Sequence, residues 1–477
     1  VQQAASIPDG RRVAVIGSGV AGLTAAYVLN RRDEVTVFEA DARLGGHAHT
    51  HDVGQADGSV LGIDTGFIVH NERTYPTLLR LFRDLGVQTQ DSEMSMSIRC
   101  DGCGLEYAGA RAGARGIIPR PSTLLRGRYL LMLLEVTRFY RRARALLAEA
   151  EAAGASAPAP ELTLGEFLDR EKFSSYFIVH FMTPVVSAVW SCDPTTALAY
   201  PARYLFTFLG HHGLLGVKGS PQWRTVTGGS RSYVDKVAAT LPDVRLSSPV
   251  VRVRRHSGGV EITTQRAAGG VRAGGAVAGT ETTENFDAVV IATHPAQALR
   301  MLGDASPAER EALAGMPYSV NHTVFHRDDA VLPASDNAKA SWNYRLPSCD
   351  ARPDRVLVSY DMTRLQRLEP ADGKRYIVSL GESELIGDGT VLEQMVYEHP
   401  QYTPDSLRAQ QQILGLGDGR LAFAGAYHGW GFHEDGALSG VRAAARLGRE
   451  WEPAGIPELQ DAGLQDAAPR AAALEGA

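Results

Sequence analysis

Four aliphatic residues, Val13-Ala-Val-Ile16, run straight into Gly17-Ser18-Gly19-Val20-Ala21-Gly22 and then into the helix-forming stretch Leu23 to Asn30. Few local patterns constrain a fold as much. Gly17 permits the turn out of a buried parallel strand, Gly19 lets backbone approach a pyrophosphate, and Gly22 lets helix and strand pack closely. Ser18, Val20 and Ala21 complete a helix start whose unpaired N–H groups face an anion. A second strand, Glu34 to Phe38, ends at Glu39, 22 positions after Gly17, where a carboxylate can accept from ribose hydroxyls and disfavours a 2′-phosphate. The spacing implies a dinucleotide. A merely structural glycine turn would not need it.

At 477 residues the chain is longer than one core usually supports, so two joined domains are expected. Hydrophobic residues at 44% and charged residues at 21% exclude a disordered, collagenous or coiled-coil chain. A net charge of −6 gives no reason to expect nucleic acid. Four cysteines make no disulfide framework and fit a reducing compartment. The first residues carry no apolar leader, and the longest aliphatic run, Leu130 to Leu134, is too short to span a bilayer. A cytoplasmic location is the expectation, with membrane-surface contact open.

The segment after Glu39, Ala40-Asp-Ala-Arg43-Leu-Gly45-Gly46-His47, resembles the R-x-G-G continuation of FAD-containing amine oxidases, phytoene desaturases and protoporphyrinogen oxidases. That resemblance implies FAD, with this loop along the pyrophosphate and flavin. Gly62-Ile-Asp64-Thr65-Gly66, followed by Phe67, resembles the strand those enzymes place beside the flavin. Leu421 to Tyr427 reads as a strand ending at Gly425. Beyond it, Asp435-Gly436-Ala437-Leu-Ser439-Gly440 approximates a flavin-adjacent turn before a small-residue helix, Val441 to Leu447. By the same resemblance Val250 contacts the adenine and Thr293 ends a strand closing on the cofactor. Ala426 stands where an acid often follows the glycine, so the ribityl contact must differ. With no cysteine near the C-terminal turn, the FAD is expected to be non-covalent.

More specific matches run in order along residues 11 to 452: Asp64 to Asn71, Trp223 to Ser230, Val324 to Asp328, Ser341 to Tyr344, Glu398-His399-Pro400, and Gly429 to Gly436. They resemble predicted NAD/FAD-binding proteins encoded beside cyclopropane-fatty-acid-synthase-like methyltransferases. The resemblance implies an α/β Rossmann-like FAD-binding domain of residues 11–90, 225–295 and 421–455, and a discontinuous α+β substrate domain of 91–224 and 296–420. Residues 456–477 are expected to form a poorly ordered tail. It also implies an FAD-dependent oxidoreductase that dehydrogenates a fatty-acyl or lipid-like substrate, with a methyltransferase as a partner. Oxidation of a small amine or amino acid, double-bond isomerisation in a fatty acid, and a non-catalytic partner role are the alternatives.

Dehydrogenation needs an apolar, water-excluding pocket over the flavin and sometimes a base. Phe67, Trp190, Trp223, Trp342, Tyr344, Trp430 and Phe432 are the candidate walls; His433, Glu434 and His70 are the candidate catalytic groups. His47, His49 and His51 alternate, which suits site-lining better than metal binding. Cys100-Asp-Gly-Cys103 has the spacing of a redox pair or half a zinc site, yet no second C-x-x-C exists and Asp-Gly reads as a hairpin turn. No metal is expected. Residues 111 to 144 hold nine arginines and one acid, Glu135, among leucines and aromatics, a pattern suited to an anionic membrane surface or to a solvated helix.

Overall fold

The structure, a computed structural model, describes residues 8–109, 113–153, 162–216, 219–266 and 280–451. The expected tail and the Gly/Ala-rich segment 267–279 lie outside them. A five-stranded parallel sheet carries the glycine signature, in the order Asp243–Arg245, Glu34–Phe38, Arg12–Ile16, Ala288–Ile291, Leu421–Phe423. Val13 to Ile16 are buried on both faces, which is why they read as a continuous aliphatic run. The carboxyl ends of these strands bring Gly17, Glu39, Thr293 and Gly425 to one edge, where ligands bind open α/β sheets.

The Val20–Leu29 helix is apolar all round because it is covered all round. One cover is the His433–Arg446 helix. A Cβ on Gly440 would lie 2.3 Å from the Ala21 carbonyl oxygen, and one on Gly436 would lie 2.6 Å from Val20 Cγ1. This corrects the expectation that Gly436 to Gly440 form a turn ahead of a helix. The helix already starts at His433, and its glycines serve close helix–helix contact.

Val250–His256, Gly259–Arg266 and Thr280–Phe286 form an antiparallel sheet of three strands. Thr280 to Phe286 run along Gly259–Arg266, with Thr280 opposite Arg266 and Phe286 opposite Val260. A seven-stranded sheet runs Val391–Pro400, Tyr318–His326, Ile377–Leu380, Val358–Asp361, Trp342–Leu346, Met96–Cys100, Leu105–Ala108. Helices Gly127–Ala153, Leu164–Arg170, Thr183–Trp190 and Ala202–His211 pack around an aromatic core that includes Phe139, Phe167 and Phe206. The first of these buries Tyr129, Met132, Phe139 and Ala143 at helical spacing and leaves Leu131 and Leu134 exposed. No helix among the described residues is long and apolar enough to cross a membrane.

Candidate active site

The glycine turn is held from beneath. Gly17 N–H donates to Phe38 O, and a Cβ on Gly17, at φ +97°, would meet Ala292 O at 2.6 Å and the Thr293 methyl at 3.4 Å. A Cβ on Gly22 would meet Gly17 O at 2.0 Å. Gly19 differs: nothing lies within 4 Å of its Cβ position, so the cradle opens there. Glu39 accepts from Ser18 N–H at 2.8 Å through one oxygen and from Asp41 N–H at 2.9 Å through the other. Gly45 N–H reaches Ser18 O at 3.1 Å, folding the Arg43 to His47 loop over the turn. Val250 starts its strand just after Ser248, whose N–H donates to Glu39 O, on the side of the sheet where the ribose carboxylate lies. Ala40 is exposed beside it.

The loop continues into a group of imidazoles and phenols that the sequence reading did not assemble. His47 packs on Tyr397 and His399, ring centroids 5.0 and 5.2 Å away, and its Nε2 has no hydrogen-bond partner. His49 Nδ1 lies 3.0 Å from the Tyr397 hydroxyl, which lies 2.7 Å from Thr65 Oγ1; Thr65 in turn meets His51 Nε2 at 3.1 Å. His294, next to Thr293, pairs its Nδ1 with Glu398 at 2.7 Å and stacks on Tyr318. Loss of water around the rings pushes His49 down to about 3 and His399 to about 4. These imidazoles are neutral at pH 7. Tyr397 and His399 share one face of an extended strand, and that alternation, within the already noted Glu398-His399-Pro400, was the available signal.

His433 opens the last helix. Its ring stacks on Phe67, centroids 3.7 Å and planes 9° apart, and its Nε2 lies 3.0 Å from the Tyr233 hydroxyl. Burial pushes it down to about 3, with the charge of His70 acting in the same direction. His70 itself is fully buried, edge-on to Phe82, with neither ring nitrogen hydrogen-bonded. It sits in the core behind Phe67.

Several expected site side chains are committed elsewhere. Glu434 accepts from Thr77 N–H and Leu78 N–H, both at 2.9 Å, and so caps the Pro76–Leu85 helix; it is not a free acid or base. Asp435 accepts from Phe432 N–H at 2.9 Å and closes the N-terminus of its own helix. Asp64 accepts from Thr50 Oγ1, Ser230 N–H and Ser230 Oγ, tying two segments together. Ser439 bridges Gly425 N–H and Gly436 O, and so fixes the strand end to the helix with Ala437 buried behind it. Gly66 lies so near His47 that a Cβ would be 2.2 Å from its carbonyl oxygen.

The candidate wall divides in two. Phe432 stacks on Phe208 at 4.8 Å, and Trp430 neighbours Tyr204, Phe208 and His211 at 6.0, 6.1 and 5.4 Å. Trp190 Nε1–H donates to Trp430 O, and Trp223 stacks on His212, which neighbours Phe432. Trp342 and Tyr344 instead lie two residues apart on one face of the seven-stranded sheet; Tyr344, only 1% exposed, belongs to the core, and Trp342 is half-buried edge-on to Tyr360. Trp190 is an expected wall residue, whereas Tyr204 and Phe208, on the Ala202–His211 helix, lie in no motif that marks them in the sequence.

Gly19's open cradle has the room a dinucleotide pyrophosphate would need, and the buried His47 Nε2 in the loop folded over it is left without a hydrogen-bond partner, so the residues present fit such a cofactor. Residues 20–380 match the family model of flavin containing amine oxidoreductases. The chain is 28% identical over 313 residues to carotenoid phi-ring synthase of Streptomyces griseus, covering 63% of this chain and 55%, about half, of that relative. A stretch of 39 residues, 8% of each chain, is 66% identical to protoporphyrinogen oxidase 2 of Arabidopsis thaliana. Cyclohexylamine oxidase from Brevibacterium oxydans IH-35A shares the fold with a TM-score of 0.61 at 19% identity, over 92% of this chain and 98% of that one. A CLA-producing fatty acid isomerase from P. acnes does so with a TM-score of 0.61 at 16% identity, over 94% of this chain and 100% of that one. The chain therefore belongs to the flavin-containing amine oxidoreductases.

Proposed function

We propose that the protein dehydrogenates an acyl chain or a similarly apolar substrate. The observation that carries this reading is the wall of Trp430, Phe432, Phe208 and Trp190 beside a cradle whose histidines are neutral. Such a wall gains from burying methylenes, roughly 0.8 kcal/mol for each CH₂, and none of its four side chains carries a charge to pair with a substrate ammonium. Bound FAD supplies the acceptor for a hydride, while the second hydrogen leaves the substrate as a proton. His433, held by Phe67 and Tyr233, is the group we place to receive or relay that proton. Trp430 and Phe432 orient the chain and exclude water.

Access from a membrane surface is part of the proposal. Leu124, Leu125, Leu131 and Leu134 are exposed on and just before the Gly127–Ala153 helix, and Arg128 and Arg138 line the same surface cleft as Leu131 and Leu134. Leucines facing acyl chains with arginines at the headgroup level suit an anionic bilayer. The test is anaerobic absorbance of the holoprotein mixed separately with vesicles of monounsaturated phospholipid and with a panel of amines. Bleaching by lipid alone supports the reading. Bleaching by an amine alone, or no bleaching by either, overturns it; the first returns amine oxidation, the second isomerisation or a partner role for the methyltransferase.

A further inference from the structure

Three of the four cysteines in the chain converge on one histidine, well away from the nucleotide cradle in sequence. Cys100 ends the Met96–Cys100 strand and Cys103 lies in the turn that follows it. The expected hairpin is present, paired Ser97 to Ala108 through Cys100 to Leu105, but its turn is the four residues 101–104 and not Asp-Gly alone, which leaves Cys103 inside the turn. What spacing could not show is the rest of the neighbourhood. Trp342–Leu346 runs parallel to the first hairpin strand with Leu346 opposite Cys100, so the chain delivers Cys349 to the same turn three residues later. A Cβ on Gly102 would stand 2.8 Å from Ser348 Cα, which shows how closely the two segments meet.

The fourth group is His180, in the π-helical segment Ile178–Met182. Such wide turns inside helices recur at functional sites because they re-aim a side chain. Two contacts fix the ring and a third fixes its backbone. Its Nδ1–H donates to Tyr176 O at 3.1 Å, Tyr176 stacks on it at 4.0 Å, and the Tyr107 hydroxyl donates to its carbonyl at 2.7 Å. With the proton on Nδ1, the Nε2 lone pair faces Cys103 Sγ, 3.7 Å away. A backbone carbonyl orienting the remote ring nitrogen is the usual support for a metal-bound histidine.

The four ligand atoms lie within 4.8 Å of one another, with Cys100 Sγ and Cys349 Sγ 3.8 Å apart. A tetrahedral zinc with bonds of about 2.3 Å to sulfur and about 2.0 Å to nitrogen holds its ligand atoms about 3.5 to 3.8 Å apart. Two of the measured edges already have that length. At 3.8 Å the sulfurs of Cys100 and Cys349 are not bonded, and a disulfide would leave Cys103 and His180 without a purpose for their placement. A surface cleft of about 670 Å³, lined by His180, Cys349, Tyr176, Arg128 and Arg352, gives an ion a route in and offers positive charge beside three thiolates.

We propose that Cys100, Cys103, His180 and Cys349 bind one zinc ion. Three thiolates and an imidazole close the coordination shell, so the site is structural: it staples the hairpin, the helical segment around residue 180 and the loop after Leu346. Binding releases the thiol protons and involves no change of oxidation state.

Metal content of the full-length holoprotein, purified without chelator, tests the site without reference to flavin turnover. About one zinc per chain is expected. Cys103→Ser and Cys349→Ala should lose at least nine-tenths of it, whereas Cys192→Ser, outside the cluster, should keep it. Where a variant fails to fold, cobalt replacing zinc in the unaltered protein decides: strong ligand-field bands in the red, beyond the flavin, mark tetrahedral thiolate coordination. No metal with a Cys100–Cys349 disulfide in the intact mass, zinc retained in every variant, or cobalt in a weakly absorbing octahedral state would each overturn the proposal.

Discussion

At the scale of single residues the structure separates glycines packed hard against backbone from Gly19, whose Cβ position is open. Gly17 sits at φ +97° under Ala292 O, so Gly17→Val combines strain with a backbone clash. Each of these costs of the order of 1–3 kcal/mol. Gly19 has open space where its Cβ would be, so Gly19→Val should leave the melting temperature of the apoprotein within a degree or two while removing most of the bound FAD. Melting curves and the flavin-to-protein absorbance ratio check both. A Gly19→Val protein with full flavin would break the assignment of the cradle. His433 and Glu434 are neighbours with separate duties. His433→Ala should slow anaerobic flavin reduction at least tenfold with little loss of FAD. Glu434→Ala should lower stability by about 0.5–2 kcal/mol through loss of a helix cap while reduction proceeds at a near-normal rate. Reversed effects in stopped-flow and denaturant unfolding would exchange the two roles.

Among the elements, legibility in the sequence followed the range of the forces involved. The Arg12–Ile16 strand, the Val20–Leu29 helix and the Glu34–Phe38 strand were readable because aliphatic runs, glycine conformations and a carboxylate spacing are local. The start of the last helix was misplaced because Gly436 and Gly440 look like turn residues until the helix crossing them is known. Glu434 looked like a catalytic acid because nothing near it in sequence announces the helix at Pro76 that it caps. The zinc ligands escaped for the same reason, with Cys349 lying 249 positions from Cys100. The helix crossing itself is testable. Gly440→Leu should force the Val20–Leu29 and His433–Arg446 helices apart, at a cost of about 1–3 kcal/mol, and weaken FAD retention with it. Unchanged unfolding and full flavin would show that the contact at Ala21 O is not tight.

For the whole molecule, the buried titratable groups set the response to pH. Burial holds His49 and His433 near 3 and His70, His212, His326, His399 and His428 near 4, against a usual 6.5. Because the unfolded chain binds these protons first, their contribution to stability is present above about pH 6.5 and is lost as pH falls toward 4. Asp64, raised to about 6, and Asp435 and Glu382, each raised to about 7, act with the opposite sign and favour the fold at lower pH. His47, His51, His211 and His294 are held down as well and Asp361 and Glu434 are raised, so the depressed histidines outnumber the raised carboxyls and acidification costs stability on balance. The melting temperature should therefore fall between pH 7 and pH 5, and a flat or rising value would contradict the burial of neutral histidines.

The claim that unites these scales is that an aromatic wall holds an unactivated C–H bond of an apolar chain against FAD. The most direct measurement is the rate of anaerobic flavin bleaching by a phospholipid whose acyl chain carries deuterium at every methylene, compared with the unlabelled lipid. Cleavage of that bond predicts bleaching by both, several-fold slower with the deuterated chain. Bleaching at equal rates would place C–H cleavage outside the step that reduces the flavin, and a flavin that stays oxidised with both lipids would contradict acyl-chain dehydrogenation.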